Sequence, residues 1–374
     1  MRWRTCCLFS FLTFLSACGG SDTGTATTSP QSAVHSYNGS ASVGDFITLS
    51  VDPTNLTITY TNHTNGDSGT VSYTVGADGS YAINDPNGNL ISAYEVPGYA
   101  LVLQAAKAGP NHATPALVVA VESGPVTLST FEGSTYNYMQ FRTTAGGLEA
   151  GSVAISATGT GTDSSYWPFG ALTAINGGQS PYNSGTIPIS AATEDASGTF
   201  FTFSDQSQTI SVFGTESGTF VVDTPSGTIF GLQQAATKAF DPSVAGTYHS
   251  IYYSKTNAST GAGNVEVGSP ALGSATVTVT AAGALTITDS SGTVMAQGTL
   301  AAVADTSYLY GGSPSLANPC NGLFTFRTTN GSEQQDVFVS FLGQTVMFSS
   351  FSAVLPSVAG ETYSYYYGVG LSQS

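Results

Sequence analysis

One segment of this chain of 374 residues occurs twice. It runs from residue 242 to 253 as PSVAGTYHSIYY and returns from residue 356 to 367 as PSVAGETYSYYY. A fainter copy, EGSTYNYM, begins at Glu132, and VHSY at residues 34–37 resembles its start. A repeated segment predicts a chain built from several structural modules on one plan.

A second internal match sets residues 69–90 against residues 273–294 without a gap. It aligns two glycines and an aspartate, which pair as Gly79 with Gly283, Gly88 with Gly292 and Asp85 with Asp289. Glycine adopts positive φ without steric cost and aspartate accepts turn hydrogen bonds, so these positions predict hairpin turns. Between the turns, apolar residues alternate with Thr and Ser, which predicts strands with one buried and one exposed face.

The composition and spacing favour an all-β fold. Only 8% of the residues are charged, 11% are aromatic and 44 are glycine. From about residue 45 onward, short apolar-polar runs are broken by turn residues every ~8–12 positions, and no helical period is present. We therefore predict tandem antiparallel meander modules that form small barrels or sandwiches. The alternative is a closed propeller-like ring, in which residues 356–367 pair with the N-terminal module as a closing strand.

The N-terminus has the order of an export signal. Arg2 and Arg4 precede an apolar run from Cys7 to Leu15, and Leu15-Ser16-Ala17-Cys18 follows. This end resembles the lipobox of bacterial lipoproteins, which implies removal of residues 1–17 and attachment of a diacylglyceryl group to Cys18. The alternatives are a secretory signal that leaves Cys18 as a plain thiol, or a membrane anchor, although the run is shorter than the ~20 residues that span a bilayer.

Residues 18–34 are rich in Gly, Ser and Thr, a composition typical of a flexible tether. The lipoprotein resemblance implies sorting to the outer membrane, because Gly19 stands where an Asp would retain the protein at the inner membrane. Cys320 would be the sole thiol left beside Cys18, so no intrachain disulfide is expected. We predict module 1 at residues 35–133, module 2 at 134–246 and module 3 at 247–374.

The charge of the chain limits its partners. The formal charge is −16, and loss of the two signal arginines would make it −18. A strongly acidic chain excludes nucleic acid as a ligand and argues against attachment to anionic lipid by charge. Membrane association is therefore expected through the lipid anchor alone.

Motifs of catalysis and metal binding are missing from the sequence. It holds no Gly-x-Ser-x-Gly nucleophile elbow, and its four histidines are dispersed. Residues 84–89 (NDPNGN) offer oxygen ligands, but the Gly and Glu positions of a calcium loop do not match, so a hairpin turn is favoured. We predict no metal, no cofactor and no enzymatic activity.

Aromatic residues cluster in two turn-rich segments. The candidate ligand-contact residues are Tyr166, Trp167 and Phe169 in the first segment and Tyr308 and Tyr310 in the second. Exposed aromatic rings on loops bind sugars, peptides or apolar ligands at low entropic cost. The alternative is that these loops fold back and close the ends of a barrel.

Three functions remain open at this stage. The leading hypothesis is a non-catalytic binding or envelope-interaction role at the outer membrane, with a carbohydrate, peptide or small apolar ligand. The second is a barrel that carries a small apolar ligand, in which Phe200, Phe201 and Phe203 would line or fill the interior. The third is a hydrolase of envelope sugars or peptides, with acids such as Glu194 and Asp195 as a catalytic pair.

Overall fold

The fold is known from a computed structural model. It describes residues 33–141, 149–155, 161–168, 185–187, 193–194, 199–205, 208–259, 264–303, 321–330, 333–352 and 360–372. Within these ranges the chain forms 26 strands, numbered β1 to β26, and two short 3-10 turns at Leu128–Thr130 and Pro242–Val244. No helix in the described ranges has the length and apolar character needed to cross a membrane.

The first sheet is a closed eight-stranded barrel, called barrel A. Each strand pairs antiparallel with the next, and β1 also pairs with β8, with Tyr37 opposite Glu122. Its strands are β1 (His35–Ala41), β2 (Asp45–Asp52), β3 (Thr57–Asn62), β4 (Ser68–Val75), β5 (Tyr81–Asn84), β6 (Leu90–Val96), β7 (Ala100–Ala108) and β8 (Thr114–Glu122).

The second sheet, sheet B, has nine strands in the order β12-β11-β10-β9-β17-β16-β15-β14-β13. The strand that comes first in the sequence, β9, pairs with the one that comes last, β17, at the centre of this order, and the sheet ends at β12 and β13. The strands are β9 (Thr135–Phe141), β10 (Glu149–Ile155), β11 (Gly161–Pro168), β12 (Gly185–Ile187), β13 (Thr193–Glu194), β14 (Phe201–Asp205), β15 (Gln208–Gly214), β16 (Thr219–Thr224) and β17 (Gly227–Gln233).

The third sheet, sheet C, repeats this plan in the order β21-β20-β19-β18-β26-β25-β24-β23-β22. Its strands are β18 (Gly246–Ser259), β19 (Asn264–Val279), β20 (Ala284–Asp289), β21 (Val294–Thr299), β22 (Ala301–Ala302), β23 (Leu323–Asn330), β24 (Glu333–Leu342), β25 (Thr345–Ser352) and β26 (Thr362–Leu371). The prediction of an all-β fold of tandem antiparallel meander modules is therefore confirmed, and one of the three sheets, barrel A, is a closed barrel.

The propeller-like alternative is wrong. Strand β26, which contains the second copy of the Tyr-rich repeat, pairs with β18 and β25 of its own sheet rather than with barrel A. The two copies lie side by side, with Tyr253 opposite Tyr367. The repeat thus marks two neighbouring strands at the centre of one sheet. The division into separate domains at residues 133 and 246 stays a prediction.

The aligned turns have the geometry that the sequence predicts. Gly79 and Gly283 both have φ of +77°, and Gly88 and Gly292 have φ of +65° and +87°. The Asp85 carboxylate accepts a hydrogen bond from the Asn87 backbone nitrogen at 2.8 Å, and Asp289 accepts the equivalent bond from Ser291 at 2.9 Å. Both segments are hairpin turns, as predicted.

Each sheet encloses its own apolar core. In barrel A the inward side chains include Tyr37, Leu49 and Tyr73, and β2 shows the predicted alternation of buried and half-buried residues. Separate clusters fill sheet B around Phe131 and Tyr136 and sheet C around Val277 and Ile287. The apolar residues on one face of these strands are therefore buried in the core of their own sheet.

A fourth apolar cluster, which we call the shared core, joins the outer faces of all three sheets. In β7 and β8, alternate residues point into barrel A and into the shared core, so both faces of these strands are buried. Aromatic contacts link the sheets: Phe141 of sheet B stacks on Tyr367 of sheet C at 4.6 Å, and Tyr94 of barrel A stacks on His249 of sheet C at 5.4 Å. Continuous apolar runs such as ALVVAV in β8 are typical of strands buried on both faces.

Candidate ligand pocket at one mouth of barrel A

A cavity of about 420 Å³ lies at one mouth of barrel A. This mouth is formed by the start of β1 and by the β2–β3, β4–β5 and β6–β7 turns, since consecutive strands of a meander run in opposite directions. The cavity is lined by residues that include Pro53, Leu56, Tyr73, Val75, Tyr81 and Glu95. Gln344, from the β24–β25 turn of sheet C, also lines the cavity.

Glu95 lies on the floor of this cavity with 1% of its surface exposed. Its strand alternates, so that Tyr94 and Val96 point into the shared core while Ala93 and Glu95 face the barrel interior. Transfer of a carboxylate from water into such a site is costly unless hydrogen bonds compensate for the lost hydration. The neighbours of Glu95 supply them.

Two tyrosines and a histidine contact the Glu95 carboxylate. The Tyr37 hydroxyl donates to Oε1 and the Tyr81 hydroxyl donates to Oε2, both at 2.5 Å. Nδ1 of His35 lies 2.9 Å from Oε1. The backbone nitrogen of Gly98 donates to the Tyr37 hydroxyl at 3.2 Å. Short O–H···O⁻ bonds of this kind are charge-assisted and hold the carboxylate in one orientation.

The electrostatics of the cluster keep the tyrosines protonated. Burial raises the pKa of the Tyr37 and Tyr81 hydroxyls far above the usual range, and the Glu95 charge raises both further. Burial also raises the pKa of Tyr73, whose ring stacks on Tyr81 at 4.3 Å. The two tyrosine hydroxyls therefore stay protonated and act as neutral donors to the Glu95 carboxyl group.

The rim of the cavity is apolar and open to solvent. Leu56 is 41% exposed and Val75 is 55% exposed, although both are large apolar side chains. Leu56 also has φ of +52°, a left-handed conformation that is uncommon for a residue other than glycine. An apolar rim beside a few polar groups is typical of sites that bind a small molecule with an apolar body.

The aromatic residues selected from the sequence do not form this site. Tyr166 and Trp167 lie in strand β11 and not in a loop, because residues 161–168 pair with β10, where Trp167 is opposite Ala150. Phe169, Tyr308, Tyr310, Cys18 and Cys320 lie outside the described residues. Phe201 is 2% exposed and fills the core of sheet B, and Phe200 packs against the shared core.

Glu95 and its partners were not among the site residues predicted from the sequence. His35 and Tyr37 precede Glu95 by about 60 residues, so only barrel closure brings them together. One local signal was present: Glu95 is an acid within the apolar strand LISAYEV of a chain with few charges. In the part of the chain that the structure describes, no three His, Cys, Asp or Glu side chains form a metal-binding group.

Comparison with known proteins gives no family assignment. No protein-family model matches, and no curated protein matches. Among solved structures, the chain is similar to transferrin binding protein B from Neisseria meningitidis serogroup B, with 12% identity over 88% of this chain and 66% of that one and a TM-score of 0.27. This chain thus spans about two thirds of that protein's length.

Two further solved structures show similarity of the same order. A double mutant of transferrin binding protein B from Haemophilus parasuis has 9% identity over 91% of this chain and 76% of that one, with a TM-score of 0.24. A protein with unknown function from Nostoc punctiforme has 9% identity over 66% of this chain and 98% of that one, also at 0.24. The fold assignment rests on the strand pairing of this chain itself.

Proposed function

We propose that this protein is a non-catalytic binding protein of the bacterial envelope, anchored by lipid at Cys18, and that barrel A binds a small ligand with an apolar body at its mouth. The observation that carries the proposal is the cavity above Glu95. Its volume of about 420 Å³ is within the range of small-molecule sites, ~300–1,000 Å³. The exposed rim of Leu56 and Val75 gives such a ligand apolar surface to cover.

The mouth is a better site than the barrel interior. The interior of barrel A is occupied by its own buried side chains, from Tyr37 to Ala120. A ligand carried in the middle of the barrel would have to displace this core, whereas the mouth holds its cavity without rearrangement. This refines the carrier hypothesis: the ligand would sit at the end of the barrel.

The contacts of Glu95 favour binding over hydrolysis. Glycoside hydrolysis requires two carboxyl groups ~5–10 Å apart. Among the described residues that line the cavity, Glu95 is the single carboxylate, and two tyrosine hydroxyls hold it in place. The described lining therefore does not provide the pair of carboxyl groups that glycoside hydrolysis uses.

The proposed anchor would bring this mouth close to the membrane. The chain enters β1 at the same mouth, where His35 contacts Glu95. Cys18 precedes His35 by 17 residues, which can reach at most ~60 Å when fully extended. We propose outer-membrane attachment on either face, with the cavity within reach of ligands at that surface.

Binding can be tested with a neutral apolar dye. We expect the mature protein to bind Nile red saturably and Val75→Asp to weaken binding at least tenfold. Val294→Asp is the matched control, because Val294 is an exposed valine (46%) on β21 of sheet C. Absence of saturable binding, or equal loss in both variants, would refute the proposed site.

The anchor has a separate test. Cys18→Ser should move the protein from the membrane fraction to the soluble fraction of cells. Retention in the membrane fraction would refute lipid attachment at Cys18. Protease treatment of intact and lysed cells then distinguishes the outer surface from the periplasm.

A further inference from the structure

We infer that the mouth of barrel A is a membrane-docking surface, whose exposed apolar side chains insert into an uncharged lipid bilayer and turn the cavity toward it. The inference goes beyond the proposed function, from which it takes the attachment at Cys18. It follows from the positions of the exposed apolar residues, from the charges of barrel A and from the point at which the chain enters β1.

Exposed apolar residues are concentrated at this mouth. In the part of the chain that the structure describes, five large apolar side chains are exposed, namely Val34, Leu56, Val75, Ile91 and Val294. Val34, Leu56 and Val75 lie at this one mouth, on three different segments of the chain. Apolar residues that are exposed together, rather than singly, mark surfaces that contact a membrane, a protein or a ligand.

The strand pairing of barrel A places these three side chains around one opening. The start of β1 pairs with the end of β2, so Val34 lies beside the β2–β3 turn. In that turn, the carbonyl oxygen of Leu56 accepts a hydrogen bond from the backbone nitrogen of Tyr73 at 2.9 Å. This bond holds Leu56 next to β4, the strand that ends at Val75. Leu56 and Val75 also line the same cavity.

The β2–β3 turn keeps Leu56 in its exposed position. The Asp52 carboxylate accepts hydrogen bonds from the backbone nitrogens of Thr54 and Asn55, both at 2.9 Å, and from the Asn55 side chain at 2.6 Å. Leu56 follows with its left-handed φ of +52°, a conformation that costs free energy and persists where the surrounding structure imposes it. An apolar side chain held outward by a fixed turn can meet a bilayer without rearrangement.

The charges of barrel A select the kind of bilayer. Among the residues of barrel A, all of which the structure describes, Lys107 is the single Lys or Arg, and it lies near the end of β7 at the opposite mouth. The docking mouth carries the acids Asp52, Asp78 and Glu122. Anionic lipid attracts basic segments and would repel this surface. The partner that fits is therefore an uncharged or zwitterionic lipid surface, which the apolar side chains can enter.

The proposed anchor makes a surface of this size sufficient. A few side chains alone give weak, reversible membrane binding, since affinity scales with the apolar area that is buried. Attachment at Cys18 makes docking an intramolecular step, because the chain enters barrel A at this same mouth. The docked orientation is then populated although the contact is weak. In that orientation the cavity opens onto the lipid, so its ligand would come from the bilayer.

The competing explanation is that the apolar rim covers only the small ligand of the proposed function. In that case the anchored protein would present no particular face to the bilayer. The two explanations differ in whether a side chain at the mouth contacts lipid.

The experiment measures lipid contact by the quenching of a single tryptophan. In the mature chain, Trp167→Phe removes the other tryptophan and Cys320→Ser leaves Cys18 as the one thiol, which is coupled to a maleimide lipid in phosphatidylcholine vesicles. Val75→Trp places the reporter at the mouth. Val294→Trp is the matched control, because Val294 is an exposed valine on β21 of sheet C. Phosphatidylcholine with brominated acyl chains quenches a tryptophan that enters the bilayer.

We expect bromolipid to quench Val75→Trp at least threefold more strongly than Val294→Trp, and an added Leu56→Asp to abolish the difference. Equal quenching at the two positions would overturn the inference, and so would a difference that Leu56→Asp leaves unchanged. If Val75→Trp does not fold, Val34→Trp at the entry to β1 is the reporter and decides in the same way.

Failure of this inference is distinguishable from failure of the proposed function. Chemical coupling of Cys18 makes the quenching independent of whether cells acylate that residue. Nile red binding by the free protein tests the cavity without a bilayer. Saturable dye binding together with equal quenching would therefore overturn the docking surface and leave the proposed pocket intact.

Discussion

Asp223, where sheet B meets barrel A, should make the stability of the protein depend on pH. The Ser40 hydroxyl of barrel A donates to Oδ1 of Asp223 at 2.6 Å, and the Thr228 hydroxyl donates to Ser40 at 2.7 Å. Burial raises the pKa of the Asp223 carboxyl to about 7, the charge of Asp45 adds to the rise, and the Ser40 bond opposes it. The carboxyl is therefore expected to be neutral in the folded protein at mildly acidic pH.

The direction and size of this pH effect follow from the difference in the Asp223 pKa between the folded and the unfolded state. An unfolded Asp titrates near pH ~3.9, so between pH 4 and 7 the folded state binds the extra proton and the free energy of unfolding falls as pH rises. The folded and unfolded states differ in bound protons over about two pH units, from pH 5 to 7. This sets an upper bound of ~3 kcal/mol on the loss of unfolding free energy. Because Asp223 is only partly buried, water screens the charge and we expect ~1–2 kcal/mol.

Urea unfolding at pH 5 and pH 8 measures this effect. The wild type should lose ~1–2 kcal/mol between the two, and Asp223→Asn should not, so that the variant is the more stable protein at pH 8. Asp289→Asn is the control: Ser291 lowers the pKa of this exposed carboxyl, so it stays ionised in both states above pH 5 and should leave the slope unchanged. Equal slopes in wild type and Asp223→Asn, or a less stable variant at pH 8, would refute the argument.

Three further outcomes are expected from the fold. Gly79→Val and Gly283→Val should each cost ~1 kcal/mol or more in urea unfolding, because both residues hold positive φ, whereas Gly246→Val, at a site without positive φ or close neighbours, should cost less. Phe141→Ala should cost ~3–5 kcal/mol, because the ring is fully buried in the shared core; a loss under 1 kcal/mol would contradict that packing. Deletion of residues 21–32 should leave the melting temperature unchanged if the predicted tether is correct; a drop of several degrees would contradict that prediction.

Local features of the chain were predictable from its sequence. The turn at Gly79 and its counterpart at Gly283 follow from residue types whose backbone preferences act over four residues, and both were confirmed. The all-β class follows from alternation and turn spacing, which are also local. Barrel closure was among the predicted alternatives because exposed strand edges must be hidden.

The candidate site was not predictable in the same way. Glu95 contacts His35 and Tyr37 only after β1 has paired with β8. Residues 90–96 contain no sequence signal that identifies those partners. The shared core was also not predictable, because it forms between sheets. The sequence around Val119 is that of an ordinary strand and does not indicate that a second sheet covers this residue. Tyr166 and Trp167 were predicted to contact a ligand because they are aromatic residues in a turn-rich segment, but their backbone belongs to β11.

The pairing of first and last strands has an evolutionary consequence. In barrel A, sheet B and sheet C, the strand that comes first in the sequence is hydrogen-bonded to the strand that comes last. These pairs are β1 with β8, β9 with β17 and β18 with β26. The connections between the sheets, residues 123–134 and 234–245, are of equal length. A unit whose ends are neighbours can be duplicated in tandem, or circularly permuted at such a connection, without breaking a strand ladder. Such a chain can grow by duplication of whole sheets. Traces of that duplication are expected in the Tyr-rich segments of the paired first and last strands.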